Sequence, residues 1–262
     1  VDAIFVGGSA GEGPLLVQRE WERMVNIAFD EANGKVNLLG GAIDTSTRRV
    51  QDKLRVLRGI GYRYSVITPT YYITLRAPGE YLRLFGECAD VADGVQVVAY
   101  NIPSCVGSAI PIDGLLEMAR RGWIQYCKES SGDFAYFSRL VSEGAELGLK
   151  VLQGEETHIA VGLLAGACGI VPVCANFEPR TFVAAYHAAL ARDEAALVSL
   201  QERILLVRGS LLFAGYLWIA GVKYSLSRLG FGSGRPVSPL EPLSASQKAT
   251  IDAFIERQRA EA

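Results

Sequence analysis

Histidine, cysteine pairs, surplus charge and long apolar runs are all scarce in this chain. The two histidines, His158 and His187, stand at no metal-ligand spacing to any cysteine, so no zinc site is expected. The five cysteines, Cys88, Cys105, Cys127, Cys168 and Cys174, are odd in number and form no CxxC pair. Four of them lie in or beside apolar, strand-like runs, which reads as buried free thiols in a reducing compartment. With 26 basic and 28 acidic residues the formal charge is −2, which implies no broad basic surface for nucleic acid. No apolar run approaches the ~20 residues of a membrane span. The nearest, residues 211–222, contains glycine and is too short. The chain opens inside the apolar segment Val1-Asp2-Ala3-Ile4-Phe5-Val6 with no basic stretch before it, so no secretory signal is expected. What remains is the profile of a soluble globular protein: 262 residues, 50% apolar and 21% charged.

The chain alternates between short apolar runs and longer amphipathic stretches. The runs cover residues 3–6, 36–39, 64–67, 95–100, 124–128, 150–152 and 169–173, each expected as a parallel strand buried on both faces. Between them the spacing is helical; Leu54, Val56, Leu57 and Ile60 share one face, and Leu115, Leu116 and Met118 contribute to another. Asp44-Thr45-Ser46-Thr47 and Ser131-Gly132-Asp133 read as helix starts. Beyond Asn176 the pattern is helical throughout, over 180–192, 194–207, 211–229 and 244–260. No tight hairpin signal joins any two strands, so the sheet is expected to be parallel. An open doubly wound sheet and a closed (β/α)8 barrel both fit. The barrel needs an eighth strand, which would precede Val1; a barrel without it leaves two open edges.

In a parallel α/β protein, chemistry gathers at the C-terminal ends of the strands. Of the six lysines, only Lys128 closes an apolar strand, Trp123-Ile124-Gln125-Tyr126-Cys127. An ammonium there loses hydration, and a neutral amine is what attack on a carbonyl requires. A buried ion pair with Glu129 or Glu12 is the other reading. Tyr100 closes the strand Val95-Gln96-Val97-Val98-Ala99 and is either a proton carrier or a core tyrosine with a satisfied hydroxyl. The glycine-rich turn at residues 7–13 could offer backbone N–H groups to an anion, or be an ordinary tight turn. It fits neither the P-loop nor the dinucleotide spacing.

Five segments carry a resemblance. They are Gly8-Ser9-Ala10-Gly11-Glu12, Thr68-Pro69-Thr70-Tyr71-Tyr72, Tyr100-Asn101-Ile102-Pro103-Ser104, Lys128-Glu129-Ser130-Ser131-Gly132-Asp133 and Leu163-Leu164-Ala165-Gly166-Ala167. In this order and spacing the chain resembles the dihydrodipicolinate synthase and N-acetylneuraminate lyase family of class I aldolases. The resemblance implies a (β/α)8 TIM barrel with a C-terminal helical extension, the first βα unit missing from this sequence. Residues 1–176 would then be barrel units two to eight, and 177–262 the last barrel helix and the extension. It implies a cytoplasmic homo-oligomer, dimer or tetramer, with no metal or organic cofactor and no nucleic-acid or membrane partner. Lys128 would form the imine with a 2-oxo acid, and Tyr100 would move protons. Ser9 and Tyr71, with Tyr72 as the alternative, would extend the relay, the tyrosine often coming from a neighbouring subunit. Gly8, Ser9, Ala10, Gly154, Glu155 and Val173 would line the substrate.

Three positions depart from the family pattern. Ala10 replaces a hydroxyl residue that helps hold the 2-oxo acid carboxylate, keeping the N–H and losing a bond of about 1.5–3 kcal/mol. Cys105 stands five residues after Tyr100, where the lysine-biosynthesis synthases carry an arginine. A thiol cannot grip a carboxylate with two hydrogen bonds. Pro172 replaces a small polar residue and removes another donor. Glu155-Glu156 resembles the acidic pair that sialic-acid lyases place near substrate hydroxyls, although carboxylates also favour any helix N-terminus. The expected activity is a Schiff-base lyase acting on pyruvate or a 2-oxo acid such as a deoxy sugar acid, with an aldehyde as second partner, and not the lysine-biosynthesis synthase. The alternatives are a dehydratase using the same lysine imine and a non-catalytic 2-oxo-acid-binding homologue.

Overall fold

The structure is a computed structural model that describes residues 1–212 and 218–261. Two compact units divide the chain, Val1–Val171 and Pro172–Ala262. In the first, strands and helices alternate as β1 (Ala3–Val6), α1 (Gln18–Ala32), β2 (Asn37–Gly41), α2 (Thr47–Ile60), β3 (Tyr64–Ile67), α3 (Pro78–Ala92) and β4 (Gln96–Asn101). There follow α4 (Pro103–Val106), α5 (Ile112–Arg120), β5 (Tyr126–Glu129), α6 (Phe134–Ala145), β6 (Lys150–Gln153), α7 (Ile159–Leu164) and β7 (Gly169–Ile170). The second unit holds α8 (Pro179–Leu190), α9 (Glu194–Leu211), α10 (Trp218–Arg228) and α11 (Ala245–Glu261). Of the helix expected over 211–229, residues 213–217 lie outside the described residues.

Each strand pairs with the next in chain order, always in parallel. That order decides between the two architectures, because a doubly wound sheet reverses direction at a switch point. Curling of the sheet is visible in its contacts. β1 and β4 are three strands apart, or about 14 Å across a flat sheet. Yet the rings of Phe5 on β1 and Tyr100 on β4 meet edge to face at 5.9 Å. The seven strands therefore curl around a common interior, as in a TIM barrel.

Strand alternation sorts the side chains into two packed layers. Val66, Val98 and Tyr100, with Phe5, Leu39, Tyr64, Tyr71 and Tyr126 against them, fill the interior. Val97, Ala99, Cys127 and Val151 face the other way and pack with the helices. Both layers are apolar because both faces of the sheet are covered. β7 is shorter than the apolar run 169–173 suggests, since the chain passes into the second unit at Pro172.

Asp133 starts α6 as its sequence implies, its Oδ1 accepting the Tyr136 N–H at 3.0 Å. Asp44 behaves differently. Ser46, not Asp44, is the residue before α2, and its side chain makes no capping bond. Cys88, Cys127 and Cys174 are buried thiols and Cys168 is half-buried, whereas Cys105 is exposed because it lies on α4 rather than in a strand. Among the described residues no group of three potential metal ligands occurs, and no helix is long and apolar enough to cross a membrane.

Candidate active site

Tyr100 and Lys128 are register partners on the neighbouring strands β4 and β5. Parallel pairing sends both side chains to the interior face of the sheet. Lys128 Nζ donates to the Tyr100 hydroxyl at 3.1 Å. Both residues are buried, at 7% and 3% exposure. The Lys128 ammonium also lies 4.2 Å from the Tyr100 ring centroid and 5.4 Å from that of Phe5. Ring faces partly replace the water that burial removes from the cation.

Glu129 follows Lys128 along β5, so its side chain points to the opposite face. Its Oε1 accepts from Asn101 Nδ2 at 3.0 Å and from the Ser131 N–H at 2.7 Å. Asn101 Oδ1 in turn accepts the Ile110 N–H at 2.9 Å. Burial pushes the Glu129 carboxyl up, opposed by the bonds from Ser131 and Asn101. This buried cluster fixes the loops leaving β4 and β5 behind the Tyr100–Lys128 pair. The alternative reading of an ion pair between Lys128 and Glu129 does not fit this geometry. The signal was present in the sequence, because adjacent strand residues cannot share a face.

Gly154 follows β6 and packs directly on the lysine. A Cβ at this position would lie 2.9 Å from Lys128 Cε, 2.9 Å from the Glu129 carbonyl oxygen and 2.0 Å from Ser130 Oγ. The glycine thus leaves the space that the lysine stem occupies. Gly154→Ala is expected to displace Lys128 and slow imine formation by about 10²-fold, the scale of a 1 Å misplacement. Single-turnover trapping with pyruvate checks this, and a rate equal to the parent's would contradict the packing role.

Gly8 is buried beside β1, and a Cβ there would meet the Phe5 ring at 2.7 Å. The turn closes through Glu12 N–H to the Ser9 oxygen at 3.1 Å and Gly13 N–H to the Gly8 oxygen at 3.2 Å. Ser9 and Ala10 lie half-buried on it, at the C-terminal end of β1. Tyr71 packs against the interior cluster that contains Tyr100. Tyr72 is 90% exposed, with a left-handed φ of 77°. Tyr71 is therefore the tyrosine of this segment that this chain itself brings to the cluster. Glu155, next to Gly154, accepts from Thr157 at N–H and Oγ1, 3.2 and 3.0 Å away. Val173 belongs to the second unit, directly before Cys174.

One charged cluster escaped the sequence reading. Asp44, in the loop after β2, accepts from the Thr45 N–H at 2.8 Å and from Arg49 Nε, and pairs with Lys53 Nζ at 3.0 Å. Lys53 is 4% exposed and also donates to the Ile43 carbonyl at 2.8 Å. Its signal is positional: residues 50, 53, 54 and 57 form one buried helical stripe, and Lys53 stands in it. Burial alone would raise the Asp44 carboxyl; the bonds from Arg49, Thr45 and Lys53 outweigh it and bring the pKa from 3.8 to about 2. The stability this confers is present above the unfolded value and lost as pH falls through the folded one. It amounts to about 2 kcal/mol at neutral pH, with roughly half gone by about pH 3. The urea-midpoint gap between the parent and Asp44→Asn should therefore narrow between pH 6 and pH 3. A constant gap would contradict this. Burial also raises the neighbouring Tyr71 phenol, aided by the Asp44 charge and offset by Arg49.

The chain as a whole is similar to known proteins. The sequence profile of the Dihydrodipicolinate synthetase family matches residues 1–258. An uncharacterized DapA-like lyase of Halobacterium salinarum is 31% identical over 255 residues, which cover 97% of this chain and 81% of that protein. A 4-hydroxy-tetrahydrodipicolinate synthase of Exiguobacterium sp. AT1b is 30% identical over 257 residues, covering 98% and 86%. Among solved structures, the prophage protein YagE of E. coli K12 in complex with pyruvate superposes with a TM-score of 0.91 at 23% identity, covering 99% of this chain and 87% of that one. Dihydrodipicolinate synthase from Aquifex aeolicus also gives 0.91, at 24% identity with the same coverage.

Proposed function

The chain belongs to the dihydrodipicolinate synthetase family, lyases of the pyruvate-dependent class I aldolase type, and from that premise we propose a mechanism centred on Lys128. The observation that supports it is the buried 3.1 Å contact between Lys128 Nζ and the Tyr100 hydroxyl. The neutral amine adds to the C2 carbonyl of a 2-oxo acid, forming a C–N bond. The former carbonyl oxygen takes up two protons and leaves as water, giving a protonated imine. That cation accepts the electron pair released when the C3–C4 bond breaks, producing an enamine and an aldehyde. Tyr100 carries the proton that the C4 hydroxyl loses, with Ser9 and Tyr71 orienting the phenol. The backbone N–H groups of Ser9 and Ala10 hold the substrate carboxylate. Gly8 and Gly154 leave room for the substrate and the lysine, and Glu155 meets substrate hydroxyls.

The substrate in this reading is pyruvate or a longer, hydroxylated 2-oxo acid such as a deoxy sugar acid. The lysine-biosynthesis reaction is disfavoured because Cys105 replaces the arginine that would hold the second carboxylate. Setting is cytoplasmic and assembly homo-oligomeric. Product analysis with 2-oxo-3-deoxy sugar acids tests the reaction. Release of pyruvate and an aldehyde supports the lyase. A product with its carbon chain intact and one water lost assigns the same imine to a dehydratase.

A further inference from the structure

Arg49 is a cation without a task in the mechanism above. It stands in the first turn of α2, which begins where the loop from the C-terminal end of β2 ends. Tyr100 and Lys128 lie at the corresponding end of β4 and β5. Helix electrostatics do not account for it, since the backbone dipole disfavours cations in a first turn. Yet Arg48 and Arg49 both stand there, and this turn contains no acidic residue.

Charge balance does not account for it either. Asp44 Oδ2 is already paired with the buried Lys53, which also holds the Ile43 carbonyl. That pair is neutral and complete. Arg49 adds a second cation to the same carboxylate through Nε and Oδ1, leaving the cluster with net positive charge. Among the described residues Asp44 is its only hydrogen-bond partner, and the Arg49 side chain is 64% exposed. Tyr71, which feels both charges, packs on the interior cluster that contains Tyr100. The guanidinium is therefore anchored along one edge, at the end of the sheet that also carries Tyr100 and Lys128. Its remaining N–H groups match the fork geometry of a carboxylate.

We infer that Arg49 is a specificity-determining residue that binds a second, distal carboxylate on the 2-oxo acid held at Lys128. This rests on the imine reading above and names the substrate class as 2-oxo diacids. β2 lies two strands from β4, so the grip comes from a different side of the barrel interior from the position of Cys105, which follows β4.

Borohydride trapping on Lys128 gives a readout that requires no turnover. The probes are 2-oxoglutarate and 2-oxoadipate, their uncharged counterparts 2-oxopentanoate and 2-oxohexanoate, and pyruvate. The parent should trap the diacids at lower half-saturating concentration than the uncharged acids. Arg49→Gln should raise that concentration for the diacids by tenfold or more, leaving pyruvate and the uncharged acids unchanged, and Arg49→Lys should restore part of the difference. A parent without preference, or an Arg49→Gln variant that shifts all probes equally or none, overturns the inference. Failure of pyruvate to trap on the parent would instead overturn the imine reading on which it rests.

Discussion

Lys128→Ala is expected to lower turnover by at least about 10⁴-fold, the scale seen when a covalent nucleophile is removed. The reason lies in the neighbourhood of the amine. Every other lysine among the described residues serves elsewhere in the fold or on its surface. Lys53 is locked to Asp44 and the Ile43 carbonyl, and Lys150 opens β6 at the opposite end of its strand. Lys150 does meet an interior ring, that of Tyr126 at 5.4 Å, but at the end of the strands away from Tyr100. Exogenous alkylamines offered to Lys128→Ala would test the point further, because a small amine can enter the space left by the stem. Turnover within tenfold of the parent would show that the reaction does not pass through this residue.

Tyr100→Phe should reduce kcat by about 10³-fold, within the range of a lost general acid–base group. KM for pyruvate should change little. The substitution keeps the ring, and with it the edge-to-face contact to Phe5 and the face presented to the Lys128 ammonium. What it deletes is the hydroxyl 3.1 Å from Nζ. Loss confined to KM would mean that the phenol binds substrate rather than moving protons. Unchanged kinetics would return Tyr100 to the role of a core tyrosine. The comparison is informative because Tyr100 is nearly inaccessible, so its ring environment should survive the change.

Much of the fold is legible in the sequence because strands buried on both faces announce themselves as short apolar runs. The runs at 3–6 and 64–67 coincide with β1 and β3, and the others overlap their strands with shifted ends. Strand order was not legible. Apolar runs do not encode which neighbour they pair with; the backbone pairing gives the order, and the contact of Phe5 with Tyr100 gives the curl. At the site, Lys128 and Tyr100 stand out because a polar residue ending an apolar strand is conspicuous. Gly154 stands out only by its place after the run 150–152, since a missing side chain carries no pattern of its own. The pairing of Lys53 with Asp44 was missed for another reason. A lysine inside an amphipathic helix reads as surface until its stripe, with Val50, Leu54 and Leu57, is seen to be buried. The Asn101–Glu129–Ser131 bonds depend on which face each strand residue takes, something alternation alone could have supplied.

The central claim is that Lys128 forms an imine with a 2-oxo acid. Its most direct test is borohydride reduction in the presence of pyruvate, followed by mass mapping of the peptides. The account predicts a reduced pyruvyl adduct on Lys128, absent from Lys128→Ala. No adduct, or an adduct confined to another lysine, would contradict it.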